Sequence, residues 1–220
     1  MRNVFQFGEH VEGYTIPVVN EREVRAAAGM LFLAMFTSLM MVFLKGDFLF
    51  IKYVISMFFT DFIIRVLINP RFSPTLILGR LIVGNQVPEY VGAAQKKFAW
   101  TIGLVLSTIV FVLLVIVNGY SPITGIICLT CLVFLFFESV FGICLGCKFY
   151  PMFHKEKPQY CPGEVCDMKA KQGIQKTSMG QLLVVLGFVL YILLTIVFFN
   201  GYLSSRPYDM FGISGTTQSR

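Results

Sequence analysis

Residues 26–44 read AAAGMLFLAMFTSLMMVFL and contain no charged side chain. At a helical rise of about 1.5 Å per residue this run is about 28 Å long, close to the thickness of the hydrocarbon layer of a bilayer. Just upstream, Asn20 is followed three residues later by Glu23, a pattern typical of a helix N-cap with a capping-box partner. We therefore expect a membrane-spanning helix that begins near Glu21.

The composition of the whole chain also requires apolar surroundings. Of 220 residues, 56% are hydrophobic and 14% are charged, and the mean hydropathy is +0.74. A soluble domain needs more polar surface than this, so we expect a lipid bilayer to cover much of the protein. The formal net charge is +6, but the sequence contains neither a soluble basic domain nor a Gly-rich phosphate loop, so we expect no nucleic-acid partner.

Four further apolar runs predict four further spans, so the expected fold is an all-α, polytopic helical membrane protein with about five transmembrane helices. The runs cover residues 48–68, 98–117, 123–147 and 181–203. Segment 75–83 is too short to span and lies in the proline-punctuated stretch 70–90, which predicts an interfacial or re-entrant helix. The predicted organisation is a leader (1–25), a four-span domain (26–150), a cysteine-containing loop (151–178), a fifth span (179–203) and a short tail (204–220).

The distribution of lysine and arginine predicts the orientation of these spans. Basic residues are concentrated in the leader and in the loops at 69–97 and 148–178, whereas the turns at 45–47 and 118–122 and the C-terminal tail contain few. By the positive-inside rule we expect a cytoplasmic N-terminus, a cytoplasmic 151–178 loop and a C-terminus on the outside.

A Cys-x-x-Cys motif, Cys144 and Cys147, ends the predicted fourth span immediately before Lys148. At helical spacing the two thiols are close enough for a disulfide or a shared metal ion. Because cytoplasmic thiols are kept reduced, a redox pair, a sulfur carrier or a metal site is favoured over a permanent disulfide. The neighbouring lysine favours Cys147 as the attacking thiol, but a helix C-terminus disfavours a thiolate and would reverse the roles. Cys128 and Cys131, deeper in the same run, are most simply small hydrophobic packing residues.

A second thiol pair, Cys161 and Cys166, follows in the loop as CPGEVC. One interpretation is a relay, in which the loop pair exchanges with Cys144 and Cys147. The alternative is a tetrahedral zinc site formed by all four thiols, although their spacing fits a standard zinc ribbon only loosely.

Three charged residues within the predicted spans form a candidate intramembrane cluster. Asp61 and Arg65 are four residues apart in the second span and can pair with each other, and Glu138 lies at a similar depth in the fourth span. Because an unpaired charge in lipid is costly, we expect the three side chains to meet across a helix contact. The cluster is interpreted either as an ion-pair network that fixes helix packing or as a proton relay or anion site beneath the thiols.

Four segments carry a resemblance to a known family: VNEREVRAAAG (19–29), TDFIIRVLINPRFSP (60–74), QKKFAWTIGL (95–104) and FFESVFGICLGCKFY (136–150). Over residues 18–150 the chain resembles the bacterial integral membrane family known as domain of unknown function 4395. The family pattern falls on Asn20, Arg25, Asp61, Arg65, Phe98, Glu138, Gly142, Cys144, Gly146 and Cys147. The resemblance implies a four-span core in a bacterial inner membrane, with the CPGEVC loop and the fifth span as departures from the family.

The resemblance also implies a setting beside thioredoxin-like proteins and thiosulfate sulfurtransferases. We therefore expect a protein of thiol-disulfide or sulfane-sulfur traffic, either an oxidoreductase or a sulfur carrier, whose Cys144 and Cys147 exchange with a cytoplasmic partner. One alternative is a small transporter or channel for a sulfur oxyanion such as thiosulfate, with Arg65, Arg80 and Glu138 along the path and a homo-oligomer supplying further helices. Another is a structural or metal-binding membrane scaffold.

Overall fold

The computed structural model of the protein describes residues 7–12, 14, 16–153 and 177–209. The predicted relay thiols Cys161 and Cys166 lie outside the described residues, as does most of the loop that contains them.

The described part of the chain folds into seven α-helices: α1 (Glu21–Lys45), α2 (Leu49–Ile63), α3 (Pro74–Val83), α4 (Ala93–Phe111), α5 (Pro122–Phe141), α6 (Leu145–Phe153) and α7 (Met179–Leu203). Two of them continue as π-helical turns, α2 through Ile64–Ile68 and α4 through Val112–Ile116. Two pairs of short strands connect segments that flank the helices. Strand β1 (Val18–Asn20) pairs antiparallel with β2 (Tyr90–Gly92), and β3 (Gly119–Tyr120) pairs parallel with β4 (Tyr208–Asp209).

The start of α1 confirms Asn20 as the N-cap, although Glu23 bonds to the Asn20 side chain and a reciprocal capping box is not formed. The Asn20 side chain accepts a hydrogen bond from the backbone N–H of Arg22 (3.2 Å) and donates one to Glu23 Oε1 (3.0 Å). The helix therefore begins at Glu21, and the chain leaves it at Gly46, which has the left-handed φ of 62° common at helix C-termini.

Contacts between helix termini define two ends of a bundle. At the proximal end, where α1 begins, Glu21 of α1 and Glu138 of α5 both contact Lys96 near the start of α4. At the distal end, where α1 terminates, the buried Lys52 ammonium of α2 donates to Asn118 Oδ1 and to the Ser205 carbonyl oxygen, both at 2.6 Å. Asn118 follows α4 and Ser205 follows α7, so successive long helices run in alternate directions between the two ends.

Among the described residues, four helices are long and apolar enough to cross a membrane: α1, α4 with its π turn, α5 and α7. The second predicted span, α2 with its π turn, runs between the same two ends but contains Lys52, Asp61 and Arg65 and has a shorter regular helix. These helices expose large apolar side chains on their outer faces, including Leu33, Leu44, Ile126 and Phe198, and the apolar window of α7 contains no buried residue. Apolar surface of this extent requires lipid, so the protein is an all-α, multi-pass membrane protein.

Helix α3 lies beside α1 near the proximal end. Its Gly79 packs so closely that a Cβ there would lie 2.6 Å from the Glu23 carbonyl oxygen. The Arg80 side chain is buried against α1, where its Nε donates to Glu23 Oε2 at 3.0 Å, whereas Leu81 and Ile82 are exposed. The helix predicted over segment 75–83 is thus observed as α3. A close backbone contact and a buried ion pair hold it against α1.

The predicted fourth span was wrong at its C-terminal end. Helix α5 stops at Phe141 because Gly142 adopts a left-handed conformation (φ 65°), with its backbone N–H donating to the Phe137 carbonyl oxygen. The chain then turns into the separate helix α6. The Cys-x-x-Cys motif consequently lies at the start of α6, and Cys144 and Glu138 do not share a helix.

Candidate functional site

Cys144 and Cys147 are joined in a disulfide, with their Cα atoms 5.2 Å apart. Cys144 immediately precedes α6, and its carbonyl oxygen accepts hydrogen bonds from the backbone N–H groups of Cys147 (3.1 Å) and Lys148 (3.3 Å). The first turn of α6 therefore sets the separation of the two Cα atoms, which lies within the range that disulfides span. The sequence predicted that the thiols would be close together, and the structure places them so, although on a different helix from the one expected.

The two cysteines have unequal surroundings. Cys147 is 3% exposed, and its Sγ lies 3.6 Å from the Gln95 carbonyl oxygen of α4. Cys144 is only partly buried, and its Sγ accepts a hydrogen bond from the Cys147 backbone N–H at 3.3 Å. A helix N-terminus and a backbone N–H donor both stabilise a thiolate. The prediction that Cys147 lies near a helix C-terminus was therefore wrong, and both effects favour a thiolate at Cys144.

Helix α6 is held against α4 by a close backbone contact. A Cβ on Gly146 would lie 2.7 Å from Ala99 Cβ and 2.9 Å from Ala99 Cα, so the absence of a side chain at Gly146 permits this approach. Tyr150, one turn further along α6, packs edge-on against Phe98 of α4, with ring centroids 5.7 Å apart. These contacts hold the buried Cys147 between the two helices.

The predicted cluster of Asp61, Arg65 and Glu138 is not formed, because Glu138 pairs elsewhere. Asp61 is fully buried and accepts hydrogen bonds from Arg65 Nη2 (2.7 Å), Ser73 Oγ (2.8 Å), and both the backbone N–H (3.0 Å) and Oγ1 (2.8 Å) of Thr75. The Asp61 to Arg65 pairing was predicted correctly. The hydroxyl partners are Ser73, the N-cap of α3, and Thr75 in the first turn of α3, so Asp61 holds the start of α3 against α2.

The Arg65 guanidinium fills the space between α2 and α4. Its Cζ lies 4.7 Å from the Phe62 ring centroid and 4.9 Å from that of Trp100, and Arg65 is 3% exposed. Guanidinium groups stack favourably on aromatic faces. The Arg65 guanidinium is thus paired with the Asp61 carboxylate and packed against the rings of Phe62 and Trp100.

Glu138 belongs to a second ionic group, with Lys96 and Glu21. Lys96 Nζ donates a hydrogen bond to Glu138 Oε1 at 2.7 Å and forms an ion pair with Glu21 Oε2 at 2.7 Å. The Lys96 side chain is 3% exposed. The sequence placed Lys96 in the predicted loop at 69–97, and the ionic group of Lys96, Glu21 and Glu138 was not predicted. The available signal was the pair of acids, Glu21 just before one apolar run and Glu138 inside another, because such acids need a nearby cation.

A cavity extends from Cys144 towards the interior of the helix bundle. It contains about 460 Å³ of empty space, part of it open to the outside, and lies between α2, α4, α5 and α6. Cys144 and Glu138 line it at the proximal end, and Phe58, Trp100 and Cys131 line it further inside. Cys144 and Glu138 therefore line the same cavity, although they do not share a helix.

Two further cysteines lie within the part of the chain that the structure describes. Cys128 and Cys131 are free and buried in α5, as expected of packing residues. Within the described ranges, no group of three or more His, Cys, Asp or Glu side chains is arranged to hold a metal ion. The four-cysteine zinc alternative includes Cys161 and Cys166, which fall outside those ranges.

Comparison with known proteins identifies the chain at the level of its family. No curated protein and no solved structure matches it significantly. The family model described as a domain of unknown function, number 4395, matches residues 19–155. That range runs from the cap of α1 through the Cys-x-x-Cys motif and α6, and it precedes α7. The match covers more than half of the chain, and the protein therefore belongs to the domain of unknown function 4395 family.

Proposed function

We propose that the protein carries out thiol-disulfide or sulfane-sulfur exchange at the membrane surface through Cys144 and Cys147. The observation that carries this proposal is the pairing of the two cysteines at the start of α6, with one partly buried and the other buried. A partner thiol can reach the sulfur of Cys144, whereas α4 covers that of Cys147. Unequal access of this kind distinguishes the sulfur that a partner thiolate attacks from the sulfur that later resolves the mixed disulfide.

The exchange proceeds through a mixed disulfide on Cys144. In the oxidised protein, a partner thiolate attacks Cys144 Sγ, the Cys144 to Cys147 bond breaks, and Cys147 leaves as a thiolate. A second partner thiol then releases Cys144, so that the partner becomes a disulfide and the protein holds two thiols. The helix N-terminus and the Cys147 backbone N–H support thiolate character at Cys144 during these steps. In sulfane transfer, the reduced Cys144 thiolate attacks the outer sulfur of a partner persulfide, the partner leaves as a thiolate, and Cys144 carries the transferred sulfur as a persulfide.

The partner is a thioredoxin-like protein or a sulfurtransferase on the cytoplasmic side of a bacterial inner membrane. The basic residues at the proximal end support this orientation, because Lys97 and Lys148 are exposed beside the thiol pair. In this arrangement the N-terminus is cytoplasmic and the C-terminus lies outside. Cys161 and Cys166 enter the proposal only as optional relay thiols that receive the disulfide from Cys144 and Cys147.

The oxyanion-channel alternative receives no support from the arginines assigned to its path. Arg65 is paired with Asp61, and Arg80 is paired with Glu23, so each guanidinium already has a carboxylate partner. Glu138 would also repel an anion that passed the proximal end of the cavity. Thiol exchange is therefore the function that the arrangement supports best.

Trapping of mixed disulfides tests the proposal. The Cys147→Ser variant retains the attacked sulfur but lacks the resolving one, so we expect it to accumulate covalent complexes with partner proteins in the native host, detected on non-reducing gels. The Cys144→Ser variant should accumulate few or none. The matched control is Cys131→Ser, which removes a free, buried cysteine and should behave as the unsubstituted protein. Equal trapping by the Cys144→Ser and Cys147→Ser variants, or full activity of the doubly substituted protein, would contradict the proposal.

A further inference from the structure

We infer that the cavity beside Cys144 holds the outer sulfur atom of a Cys144 persulfide, and that Cys147 then displaces this atom as hydrosulfide. This inference rests on the proposed sulfane transfer and names its cargo, a single sulfur atom, and its product. Cys144 lines the cavity, whereas the sulfur of Cys147 lies against the Gln95 carbonyl oxygen of α4. The two cysteines therefore act in successive steps, Cys144 as the carrier and Cys147 as the displacing thiol.

The size of the cavity suits a cargo of one heavy atom. Its free space admits only a few particles as large as a water molecule. The inner wall consists of Phe58, Phe62 and Trp100, which are each no more than 5% exposed. The rings of Phe62 and Trp100 also pack against the buried Arg65 guanidinium, which fixes their positions. A sulfur atom bonded to Cys144 Sγ fits in this space, whereas an aromatic ring or the peptide chain of a partner is too wide.

The lining of the cavity suits an uncharged sulfur atom. Most of its side chains are apolar, among them Leu106, Phe134 and Leu135, and divalent sulfur makes favourable contacts with aromatic rings. The described lining residues include no lysine and no arginine that could bind an anion, and Glu138 is an acid. Because a buried charge without a partner is costly, the lining favours the neutral S–SH form of the persulfide over its anion and disfavours a sulfur oxyanion as cargo.

Two positions are open to the outer sulfur of a Cys144 persulfide. Cys144 is partly buried, so this atom can lie outside, where the partner delivers it, or inside the cavity. Inside the cavity it is removed from water and contacts apolar side chains, which stabilises a polarisable atom of low polarity. The inner position also keeps the sulfane sulfur away from other thiols in solution until Cys147 reacts.

Cys147 is placed to break the sulfur to sulfur bond of this persulfide. The first turn of α6 keeps the two Cα atoms 5.2 Å apart, so the Cys147 thiolate lies within bonding range of Cys144 Sγ. Cys147 is 3% exposed and α4 covers its sulfur, so it meets Cys144 but not a partner protein. Cys147 does not line the cavity, so the attacking sulfur approaches Cys144 Sγ from outside the space that receives the leaving one.

The resulting cycle has three steps that balance in atoms and electrons. The reduced Cys144 thiolate takes the outer sulfur of a partner persulfide, and the partner leaves as a thiolate. The Cys147 thiolate then attacks Cys144 Sγ, the disulfide between the two cysteines forms, and the outer sulfur leaves with the bonding electron pair as hydrosulfide. The sulfane sulfur is thereby reduced and the two cysteines are oxidised. The thioredoxin-like dithiol of the proposed exchange then reduces the disulfide and becomes a disulfide itself.

Loading with a persulfide tests the cargo and the order of the steps. The full-length protein in lipid nanodiscs is reduced, freed of reductant and mixed with glutathione persulfide, and the released sulfide and the intact mass of the protein are measured. We expect the unsubstituted protein to release one sulfide for each disulfide formed. The Cys147→Ser variant should gain the mass of one sulfur atom and release sulfide only after dithiothreitol is added, and the Cys144→Ser variant should do neither. A glutathione adduct on the Cys147→Ser variant, with sulfide released at once, would overturn the inference.

Alkylation by a bulky maleimide tests the position of the outer sulfur. We expect loading of the Cys147→Ser variant to lower the alkylation rate at Cys144 by about tenfold, because the reacting atom is withdrawn into the cavity. Adding Leu135→Phe fills the cavity from α5 and should abolish this protection. Leu129→Phe makes the same change at an exposed position of α5 and should preserve it.

The comparison of loaded with unloaded Cys147→Ser protein does not depend on the folding of the Leu135→Phe variant. Faster alkylation after loading, or protection that persists in folded Leu135→Phe protein, would overturn the cavity position. Failure to load, in protein that still forms mixed disulfides in the host, would overturn the sulfane cargo and leave thiol exchange standing. Loss of those mixed disulfides would instead reject the proposed function.

Discussion

Asp61 and Arg65 form a buried ion pair in which each charge depends on the other. Asp61 has no exposed surface and Arg65 is 3% exposed. Removal of one partner from such a pair leaves an uncompensated charge in a medium of low dielectric constant, which costs far more than the pair contributes. The hydrogen bonds that Asp61 accepts from Ser73 and Thr75 therefore stabilise the junction of α2 and α3 only while Arg65 is present.

This dependence predicts the outcome of a double-mutant comparison. Arg65→Met retains most of the packing against Phe62 and Trp100 but leaves the Asp61 carboxylate unpaired, so we expect it to lower the free energy of unfolding by about 3 to 5 kcal/mol. In the Asp61→Asn background the Arg65 charge has already lost its partner, so the same substitution leaves no charge unpaired and should cost less than half as much. Equilibrium unfolding in mixed micelles measures both values. Equal costs in the two backgrounds would mean that Arg65 acts by packing alone.

At the residue scale, sequence reasoning succeeded where partners are close in the chain. The i,i+4 spacing of Asp61 and Arg65 and the Asn20 N-cap were both predicted. The partner of Glu138 was not, because Lys96 lies 42 positions away and its choice depends on how α4 is rotated in the bundle. Spacing along the chain contains no information about that rotation.

At the scale of elements, the break between α5 and α6 decides the geometry of the thiol pair. The apolar run from 123 to 147 has no charged residue except Glu138, so its hydropathy predicted one continuous helix. Gly142 interrupts it through a left-handed backbone conformation, and its Cα lies against Arg25, whose guanidinium carbon would be 3.1 Å from an added Cβ. Hydropathy does not detect such a break, because apolar residues continue on both sides of it, with Val140 and Phe141 before Gly142 and Ile143 after it.

The helix break predicts opposite effects for two glycine substitutions associated with α5. Gly142→Ala forces a side chain into the left-handed region against Arg25, so we expect a loss of about 1 to 2 kcal/mol in the free energy of unfolding. Gly125 lies inside α5 with no atom within 4 Å of an added Cβ, so Gly125→Ala should gain about 0.5 to 1 kcal/mol from helix propensity. Unfolding in mixed micelles compares the two. Equal effects would show that Gly142 is not required to end the helix.

At the scale of the whole molecule, α7 is docked by polar contacts at both ends of an otherwise lipid-facing helix. At the proximal end, Gln181 Nε2 donates to the Arg71 carbonyl oxygen at 3.0 Å. At the distal end, Lys52 donates to the Ser205 carbonyl oxygen, and the Tyr202 hydroxyl donates to the Ile116 carbonyl oxygen at 2.9 Å. The matched family region precedes α7, yet these contacts place its ends level with those of the family core. The protein is thus a bundle of alternating long helices in which the two ends face opposite sides of the membrane.

The alternation of the helices makes the proposed orientation testable with reporter fusions. Exposed Lys97 and Lys148 lie at the proximal end, and the positive-inside rule assigns that end to the cytoplasm. Alkaline phosphatase requires disulfides and is active only outside the cytoplasm. We expect fusions after Tyr120 and Pro207, at the distal end, to be active, and a fusion after Tyr150 to be inactive. The reverse pattern would place Cys144 on the oxidising side, where the pair would exchange with extracytoplasmic thiols. Activity of all three fusions would contradict the alternating arrangement itself.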